Sequence, residues 1–546
     1  MNFARLASTV IHRSKFVDRP KRTFTFNAGD LVPIGKPFLV YPGDTFKIKP
    51  NIFLRFSSPF VTPVLDDAYV DTFWFFVPMR LLWSHWQNFM GESDTPYDPD
   101  KAVTNEYLIP TLIAPDGGFG KGSLADYYMV NPYVKGVEVS ALYFRGYNLI
   151  YNEWFRRQSI QAALPVPSEE IDSLDNYAVR KRVKRRDYFT TGLPWPQRGP
   201  DVGLNLSGDI PVVGNGNGIQ FVGGGRTLSF QSNFSPTNNG TGISAFFPYD
   251  TPVSVDATTT GTRLGSFNNP LGISTDPAKS GLIGKLSAAT MITVTELRNA
   301  FQVQKLYEKD ARGGTRYTEI IRMHFGTVSS DARLQRPEYL GGSHQRININ
   351  TVVQNSSSTT SDSDPLGTLA AFGVGVDRSN GFTQSFTEHG LIFGLINVYC
   401  EQSYQQGIPR EMMYQTRLDF YWPVFAHLSE EPIFRGELFA TGTEIDREAF
   451  AYNERYAVMR YEPSGVMGEF RSDAKDSLDM WHFSQDFQDN PTLSPSFIED
   501  ASQEILDRCL QVSSSVSDQI LASVELNLVR IRPLPEFGTP GFVDHF

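Results

Sequence analysis

Eight of the nine residues in Tyr69-Val-Asp-Thr-Phe-Trp-Phe-Phe-Val77 are aromatic or β-branched, and Asp71 is the exception. Rings on every face would overcrowd a helix, and a strand with one wet face would alternate apolar and polar residues. Such a run suits a strand covered on both faces. The chain must therefore build a sheet with further layers on either side of it. Pro78 ends the run.

Other segments supply the rest of a sheet. Pro37-Phe-Leu-Val-Tyr41 leads through the turn Pro42-Gly-Asp44 into Thr45-Phe-Lys-Ile-Lys49, which alternates, and Ile52-Phe-Leu-Arg-Phe56 continues the pattern. The β pattern returns in Leu391–Tyr399 and Leu418–Phe425, and last in Ser523–Ile531 before Pro533. Helical spacing falls between these groups. A short helix is expected over Leu81–Phe89, and a longer one over Val139–Gln161. A third opens near Val294 with Thr293 and Glu296 in capping-box spacing, and a fourth covers Arg316–Phe325. Strands at both ends with helices between predict one mainly β body, a sandwich or barrel closed by distant segments.

Residues 201–290 break this pattern. They hold 15 of the chain's 45 glycines and only nine charged residues. Runs such as Gly214-Asn-Gly-Asn-Gly218 are turn-rich, so this stretch reads as an insertion projecting from the body. Asn355–Asp364 reads as a shorter exposed loop. The division is a basic N-terminal arm over residues 1–35, a body of residues 36–199 and 291–546, and an insertion over residues 200–290.

Composition excludes several classes of function. The chain has 546 residues, a net charge of -11, and 41 Phe, 23 Tyr and 7 Trp. An acidic chain does not coat its whole surface with nucleic acid, although one basic face remains compatible. So many rings point to buried area between subunits as well as within one. Two cysteines, Cys400 and Cys509, make no disulfide framework, and a reducing cytoplasm is the expected folding compartment. Residues 1–21 lack an apolar core, so no signal peptide is expected, and no apolar run is long enough to cross a membrane. The eight histidines form no helical zinc pair, and there is no Cys-x-x-Cys or Gly-x-Ser-x-Gly. The glycine run at 214–225 lacks the Gly-Lys-Ser/Thr ending of a phosphate loop. No catalytic residue, cofactor or metal is predicted.

One segment is electrostatically distinct. Arg180-Lys-Arg-Val-Lys-Arg-Arg186 has six basic residues in seven, and Tyr188, Phe189 and Trp195 follow. Cations neutralise phosphates and rings stack on unpaired bases, the combination that holds single strands. The candidate nucleic-acid contacts are Arg180, Lys181, Arg182, Lys184, Arg185 and Arg186, with Lys21 and Arg22 from the arm. Tyr188, Phe189 and Trp195 are the candidate stacking rings. A solvated charged loop, or one meeting acidic residues of a neighbour, is the plainer alternative.

Longer motifs give a resemblance. Pro42-Gly-Asp-Thr-Phe46, Asp71–Pro78, Leu193-Pro-Trp-Pro-Gln197, Asp310–Tyr317, Ser330–Gly342 and the ending Pro-Gly-x-x-Asp-His-Phe546 resemble the major capsid proteins of microviruses, most closely the gokushovirus branch. The resemblance covers nearly everything outside residues 201–290. It implies an eight-stranded antiparallel jelly roll with long helix-containing loops. It also implies a T=1 icosahedral shell around circular single-stranded DNA, built in the host cytoplasm with other phage structural proteins. The insertion is then a threefold protrusion facing a host receptor. A receptor-binding spike and a jelly-roll protein that binds or hydrolyses glycans are the competing readings.

Overall fold

The computed structural model describes residues 11–92, 107–168, 172–200, 202, 294–353, 369–377 and 381–537, with six short strands between 212 and 284. Two compact units result, Met1–Gly199 with Tyr307–Phe546, and Pro200–Leu306.

In the first unit twelve strands join one antiparallel sheet. In chain order they are β1 (Ser14–Asp18), β2 (Lys21–Phe26), β3 (Asp30–Pro33), β4 (Phe38–Val40), β5 (Thr45–Phe56) and β6 (Ala68–Pro78), followed by β7 (Arg180–Lys181), β8 (Glu338–Val353), β9 (Leu369–Asp377), β10 (Phe382–Ser385), β11 (Gly390–Cys400) and β12 (Ile520–Arg532). The path runs β1-β12-β5-β9-β8-β6-β11-β3-β7; β2 also pairs with β12, β10 with β5, and β4 with β11. Strand β8 carries the sheet from one half to the other. Its residues up to Ile347 pair with β6, and those from Asn348 pair with β9. Nearer its start, within the pairing with β6, a register shift falls between Tyr339 and Gly341, with Gly341 at φ +148°.

Both halves line one core. Ile48, Ile52 and Leu54 of β5, with Val524 and Leu526 of β12, share a buried cluster with Val70, Trp74 and Phe76 of β6 and with Ile392, Ile396 and Val398 of β11. Strand β6 is covered on both faces, as its composition requires. Phe75 and Val77 point away from that core into a second cluster beneath helix α1 (Leu142–Ile150). All eleven residues of β11 are buried. Gly146 of α1 permits the close approach, because a Cβ there would lie 2.3 Å from Cζ of Phe393. On the same helix Arg145 is fully buried and its Nε donates to Asp172 at 2.8 Å. A third cluster collects Tyr188, Phe189, Tyr404, Ile433, Leu438, Phe450 and Phe497.

The helices agree with the expected positions, with differences at their ends. Trp86–Phe89 is one short turn, and α1 ends in a π-turn over Tyr151–Phe155. Helices α2 (Val294–Gly313), α3 (Tyr317–Phe325) and α4 (Ser502–Cys509) follow. Two expectations need correction. Part of the N-terminal arm is sheet, since β1 and β2 both pair with β12, and the alternation Arg22-Thr-Phe-Thr-Phe26 turns Phe26 into the core. Leu418–Phe425 is not a strand. It is a loop with a 3₁₀ turn at Pro423–Phe425, in which Trp422 Nε1 donates to the Arg417 carbonyl and Asp419 accepts from the Gln415 and Thr416 amides. Thr293, the loop Asn355–Asp364 and the final motif from residue 538 lie outside the described residues.

In the second unit the described strands nest. Val212–Gly214 pairs with Leu282–Gly284, Phe221–Val222 with Gly272–Ile273, and Ser254–Asp256 with Arg263–Gly265, all antiparallel.

Candidate nucleic-acid interface

The basic run is tied to the body along its length. Arg180 and Lys181 form β7 against Leu31 and Asp30 of β3. The Arg182 amide then donates to the Gly29 carbonyl, and the Lys184 amide to the Ile498 carbonyl. An extended backbone turns alternate side chains to opposite sides. Arg182 and Lys184 consequently point inward.

Arg182 forms an ion pair with Asp71 and donates to Asn397 Oδ1 at 3.2 Å. Its guanidinium also lies 5.0 Å from the Phe73 ring centre and 5.4 Å from that of Tyr399. Lys184 is buried, donates to Gln485 Oε1 at 3.1 Å, and sits 4.3 Å from the Phe497 ring centre. Burial lowers its ammonium pKa to about 8. Both cations serve the fold, which corrects their assignment as phosphate contacts. Arg22 is corrected for the same reason. Its guanidinium is bonded to the Ile34 carbonyl, lies over Phe38, and is lowered to about 10 by burial.

The cations left facing solvent are Lys21, Arg185 and Arg186, while Arg180 and Lys181 are half-buried. The proposed stacking rings divide similarly. Tyr188 donates to Glu437 at 3.0 Å and stacks on Tyr461, and Phe189 packs edge-on against Tyr404. Both belong to the third core, so neither offers a face to a base. Trp195 stays partly exposed.

Different rings stand beside the run. His344 of β8, Tyr69 of β6 and Tyr399 of β11 form a row across three strands, with centres 4.8 Å apart from His344 to Tyr69 and 5.7 Å from Tyr69 to Tyr399. Asp71 accepts at its two oxygens from Arg182 and His344. Arg185 lies 5.9 Å from the Tyr399 centre. Burial, and then Asp71, pushes the Tyr399 hydroxyl up to about 12, so it stays neutral. Reading for rings near the basic run in sequence missed this row. The signal available was alternation, which puts Tyr69 on the same side of β6 as Asp71.

Asp30, opposite Lys181, is the titrating group at this edge. Burial raises its carboxyl from 3.8 to about 7, and Lys181 opposes the shift. The folded chain therefore keeps a proton there that the unfolded chain releases above about pH 4. That stabilisation is lost as pH rises through 7. Asp30→Asn should accordingly melt a few degrees above the parent at pH 8 and together with it at pH 4, which thermal scans at the two pH values would check.

The arrangement holds cations and rings, and among the described residues no group of three or more His, Cys, Asp or Glu could hold a metal ion. Residues 4–542 match the family described as "Capsid protein (F protein)". The chain belongs to this family of phage capsid proteins. It is 38% identical to capsid protein VP1 of Bdellovibrio phage phiMH2K, covering 100% of this chain and 98% of the relative. For VP1 of Chlamydia phage 1 the identity is 35% (99% and 97% covered), and for VP1 of Spiroplasma virus 4 it is 34% (99% and 97%). The gokushovirus-like resemblance read from the motifs is the one these relatives carry. A capsid protein of this family is a structural component of the virion.

Proposed function

We propose that the chain is the major capsid protein of a small single-stranded DNA phage, and that copies close into a T=1 icosahedral shell around a circular genome. One observation carries the reading. Capsid proteins match this chain from end to end, not over a single module. The sheet is compatible with a jelly roll. Strands sharing a partner (β1 with β2, β9 with β10, β3 with β4) count as one position each, and without the two-residue β7 eight positions remain.

Self-association needs apolar surface that is still wet in the single chain. The loop between Pro409 and Leu428 supplies it, with Met412, Leu418, Phe420, Tyr421, Val424 and Leu428 all exposed. Monomers rarely leave large apolar patches uncovered. This explains why Leu418–Phe425 has the composition of a strand without a sheet to join. Cys400 and Cys509 are both free and buried, which fits assembly in the host cytoplasm. On this reading the insertion, whose described strands pair with one another, is the part that meets a host receptor. Other phage structural proteins complete the particle.

Genome contact falls to the cations that the fold has not used, Arg185 and Arg186, with Arg180, Lys181 and Lys21 nearby in sequence or exposed, and Trp195 as the remaining ring. The double variant Arg185→Glu, Arg186→Glu should give shells of normal yield with less DNA, read from the ratio of absorbance at 260 and 280 nm. Full DNA content would remove these two residues from the interface. Arg182→Glu should instead destabilise the subunit, because it sets a second carboxylate beside Asp71.

A further inference from the structure

Strand β5 presents a surface that lies outside the basic run. Its inward residues Phe46, Ile48, Ile52, Leu54 and Phe56 are core, and its outward residues are Thr45, Lys47, Lys49, Asn51, Phe53 and Arg55. That row has three cations, one aromatic ring and no carboxylate. Neighbouring strands extend it. Opposite residues of paired strands share a face, so Lys15 of β1, opposite Ile531, and Lys21 of β2, opposite Glu525, join the same side. Phe372 and Val376 of β9 stand out from it, each about half exposed, as is Phe53.

Five cations thus meet one carboxylate, Glu525, on the outward strand positions of a chain whose net charge is -11. All five are exposed, and among the described residues none has an ion-pair partner within 4.0 Å. The positions between are mixed. Asn527 lies opposite Lys49, Thr383 opposite Lys47 and Ser523 opposite Phe53, while Val529 also flanks Lys47, Leu521 and Val374 flank Arg55, and Val376 flanks Phe53. Part of this face floors an open groove of about 1390 Å³ that includes Lys21, Asn51, Phe53, Arg55, Val376 and Ser523. The other carboxylates that line it are engaged, Asp518 with Lys121 and Thr25, Asp126 with the Gly122 amide, and Asp377 with the Ser343 hydroxyl.

We propose that this face holds single-stranded nucleic acid without sequence preference, its cations on phosphates and Phe53 and Phe372 under bases. Exposed rings set among unpaired cations suit a flexible anion that carries its own rings. The centre of a protein interface is depleted of charged residues, lysine included, whereas this face carries five cations. The proposal rests on the genome-enclosing reading and locates one place where the strand would lie.

The test uses the full-length unassembled chain and a fluorescent oligothymidylate, with affinity measured across a range of salt. Lys47→Gln, Lys49→Gln, Arg55→Gln together should reduce the slope of log affinity against log salt by about 2, at roughly 0.7 per cation lost. Phe53→Ala should weaken binding about tenfold and leave the slope unchanged. Should the triple variant fail to fold, Lys47→Gln and Arg55→Gln taken singly should each lower the slope by a third as much. Unchanged slope and affinity in folded variants would overturn the proposal, and so would binding of polyglutamate as tight as that of the oligonucleotide and insensitive to Phe53→Ala. The DNA content of wild-type particles is scored separately. Particles that contain DNA alongside unaffected variants would refute this face and spare the genome-enclosing reading, whereas empty wild-type particles would refute that reading itself.

Discussion

Phe420→Asp with Val424→Asp leaves the unassembled chain folded and abolishes shell formation. Neither residue belongs to any of the three cores, and Val424 is 83% exposed, so the single chain loses little beyond the edge-on contact of Phe420 with Tyr414. The loop's own supports stay in place, namely the Trp422 bond to the Arg417 carbonyl, the Asp419 turn, and Arg455 over Phe425 at 5.3 Å. Assembly has no such tolerance. Truncating a central apolar contact typically costs about 2 kcal/mol or more, and a buried unpaired carboxylate adds several more. Every subunit repeats the loss, so a closed shell feels it many times over. Sedimentation should show slow-moving subunits with a parental melting curve. Normal particles would remove this loop from the contacts.

Arg145→Met costs the subunit about 3–5 kcal/mol, the range for breaking a buried pair from one side. Arg145 and Asp172 are both fully buried at 2.8 Å, and Arg145 Nη1 also holds the Leu82 carbonyl at 3.1 Å. Methionine fills much of the space but leaves the Asp172 carboxylate with Tyr177 as its hydroxyl donor at 2.8 Å. Adding Asp172→Asn removes the stranded charge and should recover part of the loss. Urea denaturation of the unassembled chain measures both steps. Equal stability in parent and single variant would show that the pair adds nothing to the body.

Much of the sheet was legible because its central strands are extreme. A strand buried on both faces, such as β6 or β11, has no polar positions to blur its pattern, and both came out within a residue or two of their ends. The longest strand, β8, was not read, although its first residues fall inside a recognised motif. Glu338–Val353 contains Gly341 and Gly342 and exposes residues on both faces, so its alternation is faint. Leu418–Phe425 failed the opposite way. Its rings have strand composition, but nothing in the sequence says that they lie on an unpartnered loop.

The interface was legible only as a charge. Six basic residues in seven suggested one patch, but an extended backbone sent Arg182 to Asp71 and Lys184 to Gln485, leaving Arg185 and Arg186 outside. The rings following in sequence, Tyr188 and Phe189, were drawn into a core, and the row beside Arg182 comes from three strands that carry Tyr69, His344 and Tyr399. Lys47, Lys49 and Arg55 form no run in the sequence, because core residues alternate with the outward positions between them. Only the pleat gathers them on one side.

What matters most is whether this brick closes on itself. Electron microscopy of the purified full-length chain asks that directly. Hollow or filled spherical particles of one size are the predicted image. Fields of single molecules or free trimers, under conditions where the chain is folded and concentrated, would contradict the account.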